Sequence, residues 1–409
     1  MTRQKYILLI LILGSLTALG PFSIDMYLPG FPAIATDLDT TVEQVALSLS
    51  SYFVGLAAGQ LLYGPLLDKF GRKKPLYVGL AIYLAASFGC MLTHDIQSLI
   101  LLRFVQAIGS CAAAVAAVAM VRDLFPVEES AKVFALLVLV LGASPMIAPT
   151  VGGYVTTAFG WQSIFLILAV IAVLLLLSVV FALPEKYVPN RDLSLKPLPI
   201  LRGFWAVLKE PQFVTYVFTG ALAFAGLFTY VAGSPVVFME IYHVNQKTYG
   251  WIFAGLSVAF IGASQVNSLL LRKFTSPQIV PVALLGQMLV SVAFVIAALS
   301  GWLGLTGVLL MLFLMLCCVG LISPNASALS IAPFEKNAGT ASALMGAIQL
   351  GIGALATVGI GLYKAVTVVP LATILAATGV LACLVYFTGR QFIKGAVSAG
   401  TGNSAGAMH

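Results

Sequence analysis

Asp25 and Arg103 are the two charged residues of this 409-residue chain that stand inside long apolar runs. Asp25 closes the stretch from Leu8 to Ile24, which holds no ionisable group, and Met26, Tyr27, Leu28 and Pro29 follow at once. Arg103 lies within the run from Leu99 to Gly109. A bare charge in hydrocarbon is costly, so such a group faces a water-filled cavity, pairs with an opposite charge or carries a proton. An arginine can also donate to backbone carbonyls at a helix kink. An acid that alternates between dry and wet surroundings, beside a base that moves relative to it, can take up and release a proton. That chemistry is proton-coupled movement. Enzyme chemistry would need paired acids or a His, Ser and Asp set within the apolar runs, and the only ionisable side chains there besides Cys and Tyr are Asp25 and Arg103.

Such charges need membrane-spanning helices around them. The chain is 60% hydrophobic and 9% charged, against about 25% charged in soluble proteins. Charge-free runs at 6–24, 44–67, 75–94, 104–121, 211–239, 248–271, 337–363 and 365–389 each accommodate one span of ~20 residues. The longer runs 133–184 and 274–334 each hold two, broken near Gly160 and near Ser300, Gly301 and Trp302. The expected architecture is an all-α membrane protein of twelve transmembrane helices. The first run lacks a small-residue cleavage site and continues into Asp25, so it is not expected to be a cleaved signal.

Lys and Arg set the orientation. With Arg3 and Lys5 in the cytoplasm, 18 of the 21 Lys and Arg fall in cytoplasmic segments. Lys247 and Lys364 fall outside, and Arg103 is within a span. Both termini are then cytoplasmic, as in a multi-pass protein of a bacterial inner membrane. The formal net charge of +7 is a topology signal spread over short loops, not a nucleic-acid surface. Cys90, Cys111, Cys317, Cys318 and Cys383 fall in apolar runs without CxxC spacing. His94, His243 and His409 have no ligand-like neighbours, so no metal site is expected.

Residues 184–212 are the one long polar connection. They divide residues 1–183 from 213–394, two six-helix bundles of a parallel repeat. A short amphipathic helix is expected around Leu201–Leu208. Residues 395–409, rich in Gly, Ala, Ser and Asn, read as a flexible tail.

Gly64, Asp68, Gly71, Arg72, Lys73 and Lys74 join spans two and three. Gly64 allows close helix approach, and Gly71 allows a tight turn. Asp68 can cap a helix or pair with Arg72 or another loop's base. The spacing G-x3-D-x2-G-R-K resembles the loop motif of the major facilitator superfamily. The resemblance implies a conformational latch between the halves on the cytoplasmic side. Leu102, Arg103, Gln106 and Gly109 resemble its span-four arginine motif, with Ala107 where glycine is common. Gly142, Pro145, Pro149, Gly152 and Gly153 resemble the span-five motif of its drug–proton antiporters, a scaffold and hinge element. Asp25 to Pro29, Gly59 to Pro65, Val121 to Leu124, Trp161 with Gln162, Ser323 to Ala326 and Gly339 to Gln349 resemble the Bcr/CflA exporters, named for bicyclomycin and chloramphenicol resistance.

The resemblance implies a proton-coupled multidrug antiporter working by alternating access. It would act as a monomer, with the proton as coupling ion and no other cofactor. A dedicated metabolite or siderophore exporter is the alternative. No GxxxxGK[ST] run is present to bind a nucleotide. Asp25 is expected near the outer end of span one, and Arg103 roughly 12 Å below Asp95 at ~1.5 Å per residue. That shared depth leaves a direct or water-bridged pair within reach, and both residues are assigned to proton coupling. A drug pocket is apolar and aromatic with few polar groups. Its candidates are Tyr27, Tyr52, Phe53, Gln60 and Gln106 in the first half. Phe224, Phe228, Tyr230, Trp251, Asn325 and Gln349 are those of the second.

Overall fold

The computed structural model describes residues 3–190, 197–301, 303–334, 338–362 and 367–393. Trp302 and the tail from Gly395 lie outside the described residues. The first half contains α1 (Arg3–Asp25), α2 (Phe31–Asp37), α3 (Val42–Phe70), α4 (Lys73–Leu92), α5 (Ile96–Leu124), α6 (Val127–Phe159) and α7 (Gln162–Phe181). α8 (Pro197–Leu208) lies in the connection. The second half contains α9 (Pro211–Pro235), α10 (Gln246–Leu270), α11 (Ser276–Leu299), α12 (Leu305–Ile331), α13 (Ala338–Leu362) and α14 (Val369–Gly389). Among the described residues twelve helical segments are long and apolar enough to cross a membrane, and no strand occurs. With no water to satisfy a backbone in hydrocarbon, helices are what such a sequence can form.

Polar residues in the short connections start the spans. Asp95 Oδ1 accepts from the Ser98 amide at 2.8 Å, and Asn245 Oδ1 from the Thr248 amide at 2.9 Å. These caps satisfy amides that the first helical turn leaves free.

Span one departs from expectation. It runs from Gln4 to Asp37, beyond Asp25, as α1, a 3-10 turn at Leu28–Gly30 and α2. Proline explains the break. Pro29 has no amide to donate, and its ring opposes the carbonyl four residues back, which is that of Asp25. α1 therefore ends at Asp25. Twelve further residues place Asp25 roughly 18 Å below Asp37 at ~1.5 Å per residue. It lies deep in the bundle, not near its outer end. Span seven is irregular too: Pro235 ends α9, and a π-helical turn, Val236–Ile241, prolongs the span.

Each half packs as one bundle, and the halves meet along α3 with α13 and α6 with α10. Two ends are distinguishable. At the linker end Tyr6 packs on Phe125, and the backbone of Asn190 donates to the Asp68 carbonyl at 3.0 Å. At the far end Trp161 Nε1 and Gln162 Nε2 donate to Asp37 Oδ2, at 3.0 and 2.9 Å. They pin α2 to the start of α7. The bundles are sealed toward this far end. A Cβ on Gly153 of α6 would lie 2.5 Å from the Gln246 carbonyl and one on Gly250 of α10 2.9 Å from the Pro149 carbonyl; within the first half, a Cβ on Gly152 would run into the Met26 carbonyl. Backbones in apolar surroundings come this close only where a side chain is missing.

Candidate functional site

The break after Asp25 organises the site. Ser23 and Tyr27, four residues apart, share a face of span one, and Asp25 projects from the opposite side. Arg103 occupies the Ser23 and Tyr27 side. It is 0% exposed. Its Nη2 donates to the Ser23 carbonyl at 2.9 Å and its Nη1 to Gln106 Oε1 at 2.5 Å. Gln106 in turn donates to Ser87 Oγ at 2.8 Å. The guanidinium carbon lies 4.2 Å from the Tyr52 ring centre, 4.5 Å from Tyr27 and 5.8 Å from Phe165. Aromatic faces stabilise a buried cation in place of water. Tyr27 and Tyr52 are held by Ser48 and Ser110, each at 2.8 Å, and Ser23 Oγ meets Tyr83 at 2.6 Å. One donor, Arg103 Nε, is buried without a partner.

Asp25 is 5% exposed. Among the described residues its carboxylate makes no hydrogen bond and no ion pair, with Arg103 or any other cation. It lies within electrostatic reach of the phenols of Tyr230 on α9 and Tyr249 on α10. Tyr249 is bonded to Ser234 at 2.8 Å. The Tyr230 hydroxyl is buried without a hydrogen-bond partner, its ring stacked on Phe253 at 5.2 Å. A partnerless acid of the first bundle therefore faces a partnerless hydroxyl of the second.

The other candidates fall into separate groups. Phe53 meets Phe228 across the α3–α9 contact at 4.4 Å, and Phe224 packs on Phe228 at 5.1 Å. Gly353 of α13 abuts the Phe228 ring, so three helices converge there. Gln60 lies against Gly346, a Cβ on which would be 3.4 Å from the Gln60 amide carbon. Asn325 is buried and donates to Asn267 Oδ1 at 2.6 Å, leaving its own Oδ1 unpartnered. Gln349 approaches Ser327 at 3.5 Å. Trp251 is 62% exposed and, among the described residues, joins no ring cluster. Gly142, Pro145, Pro149, Gly152 and Gly153 all lie on α6, whose seam with α10 includes Gly142 against Ile261.

At the linker end Gly64 and Asp68 lie on α3, and Gly71 makes the turn into α4, which Lys73 opens. Arg72 Nη1 donates to Asp68 at 2.6 Å and Arg72 Nε to Asp123 of α5 at 2.7 Å. Tyr187 covers its other side at 3.6 Å, and Glu185 accepts from the Lys73 amide at 3.3 Å. Burial opposes the Arg72 charge, but Asp123 and Asp68 more than offset it, raising its pKa above the ordinary arginine value. Every partner belongs to the first half or to the start of the connection.

Asp123, Tyr187 and Asn267 escaped sequence reasoning. Asp123 stood in the stretch Val121 to Leu124, beside Arg122, and that acid was the one available signal. Asn267 was a polar residue in a span, the same signal that marked Asn325.

The sequence model of the Major Facilitator Superfamily matches residues 13–358. A bicyclomycin resistance protein homolog of Haemophilus influenzae is 32% identical, over 95% of this chain and 97% of its own. A multidrug resistance protein MdtL of Klebsiella pneumoniae is 30% identical, over 82% of this chain and 84% of its own. Among solved structures, a bacterial homolog of the lysosomal transporter Spinster, inward-facing and occupied, superposes with a TM-score of 0.75 at 15% identity. That match covers 96% of this chain and 98% of the other. A D-xylose–proton symporter gives a TM-score of 0.75 at 13% identity, covering 97% and 99%. At those identities the two structures speak for the fold alone.

Proposed function

The chain belongs to the major facilitator superfamily, and from that footing we propose that it is a proton-coupled multidrug efflux antiporter of the bacterial inner membrane. The drug-resistance names of its relatives support drug-like cargo. The observation that carries the coupling is Asp25, buried at the break in span one without any polar partner. A carboxylate so placed is costly to keep charged, so a proton or a cationic cargo relieves it.

Alternating access then has a simple sequence. The linker end faces the cytoplasm. With the far end sealed at Gly153 and Gly250, cargo enters from the cytoplasmic side and parts the rings of Phe53 and Phe228. Rocking of the halves opens the α6–α10 seam, and Asp25, one residue from Met26, is exposed to the outside. A proton taken there discharges the cargo and neutralises the site for return. Arg103 is a positioning residue. Its bond to the Ser23 carbonyl and its stacking on Tyr27 hold both flanks of the break, so Asp25 keeps its aim toward the second bundle.

The test is counterflow in proteoliposomes. A drug gradient should drive proton movement in the opposite direction, and an imposed proton gradient should drive drug uptake. Drug transport at equal rates with and without a proton gradient would remove the coupling. A susceptibility panel in an exporter-deleted bacterium defines the cargo range.

A further inference from the structure

α8 carries more apolar surface than the protein covers. Its inner stripe, Ile200, Gly203, Phe204, Val207 and Leu208, is at least half-buried. Val207, Phe204 and Leu208 pack on Phe213 and Val217 of α9 and on Ala341 and Leu344 of α13. A second apolar strip is bare: Leu198 is 58% exposed, Leu201 60% and Trp205 64%. At about 100° per residue these three fall within roughly 60° of arc, directly beside the packed stripe. Arg202 and Lys209, both exposed, follow on the next ~40° of the same wheel. The order around the helix is therefore protein, apolar strip, cations.

The bilayer is the environment that matches this order. α8 ends at Leu208, and the membrane-spanning α9 opens at Pro211, with only Lys209 and Glu210 between them. The end of α8 is thus at the edge of the hydrocarbon. A tryptophan there sits well at headgroup level, and basic residues just above an apolar strip meet lipid phosphates.

We propose that α8 is an interfacial helix that seats Leu198, Leu201 and Trp205 at the acyl boundary and binds anionic phospholipid headgroups through Arg202 and Lys209. It thereby ties the connection between the halves to the inner leaflet. Because α8 also packs on α9 and α13, it holds the second bundle at a fixed depth while the first rocks against it.

The test compares full-length protein with Trp205→Phe in nanodiscs, reading the difference in tryptophan fluorescence as the Trp205 component. Lipids brominated near the top of the acyl chain should quench that component at least twofold more than lipids brominated near its end, and aqueous iodide should barely reach it. Quenching by iodide with indifference to both brominated lipids would overturn the seating. For the headgroups, adding phosphatidylglycerol to protein in detergent should raise the thermal midpoint by several degrees more than phosphatidylcholine of the same chains. Arg202→Gln with Lys209→Gln should erase that difference while leaving the bromine quenching in place. A difference that survives the double substitution, or that inorganic phosphate reproduces, would overturn headgroup binding.

Discussion

Arg103 donates to the backbone carbonyl of Ser23, two residues before Asp25, and forms no ion pair with Asp25 itself. The two intramembrane charges are thus linked through the shape of span one. Arg103 secures the face that carries Ser23 and Tyr27, and Asp25 points away from it.

That linkage separates two roles for Arg103. Arg103→Lys should cut transport at least tenfold, because one ammonium lacks the planar fork that reaches Ser23 and Gln106 together. Losing those charge-assisted bonds should cost about 2–5 kcal/mol of stability. Arg103→Gln removes the charge altogether, and there the midpoint of the pH profile for proton release should stay at its wild-type position in whatever folded protein is recovered. A shifted midpoint would point to direct charge coupling with Asp25.

At the linker end, Asp123 is the more enclosed partner of Arg72. Its side chain is 19% exposed, against 51% for Asp68. Asp123→Asn should therefore destabilise the protein more than Asp68→Asn, since exposed pairs contribute little. In a double-mutant cycle with Arg72→Gln, Asp123 should show a coupling of about 1 kcal/mol or more. Thermal unfolding in detergent measures both. Equal effects at the two acids would contradict the geometry.

The Phe228 ring fills the space that a side chain on Gly353 would need. Gly353→Ala should therefore force the aromatic seam apart and lower transport. Adding Phe228→Ala should recover part of the loss, because it vacates that space. If the double variant transports no better than Gly353→Ala alone, the ring is not the obstacle.

Gly153→Ala bears on the far end. Its new methyl would lie 2.5 Å from the Gln246 carbonyl. The seam between α6 and α10 must then open. A cysteine introduced at Thr157, whose hydroxyl bonds Gln246 at 3.0 Å in the sealed state, should react faster with an impermeant thiol reagent in this background. Unchanged reactivity would mean that the helices tolerate the added group without parting.

Much of the fold could be read from charge-free runs, because hydrocarbon excludes charge and each run must be a helix. The course of span one could not. The charge-free run stopped at Ile24 because Asp25 follows it, whereas the chain re-enters a helix at Phe31 and continues to Asp37. The faces of the spans were also hidden. Lipid is as apolar as the bundle interior, so no periodicity separates Trp251, which is exposed, from Phe228, which is buried at the seam. Asp25 and Arg103 stood out because a charge in a span needs a reason, but the orientation of each depends on a break that spacing alone does not reveal. Tyr230 was one of several aromatic pocket candidates in the sequence, and only its place opposite Asp25 sets it apart from them.

Asp25→Asn tests the central claim most directly. The amide keeps the shape of the side chain and cannot carry the proton. In proteoliposomes the variant should fold and bind drug, yet release no protons on drug addition and fail to concentrate drug under an imposed proton gradient. Drug accumulation by Asp25→Asn with the wild-type dependence on pH would contradict the account.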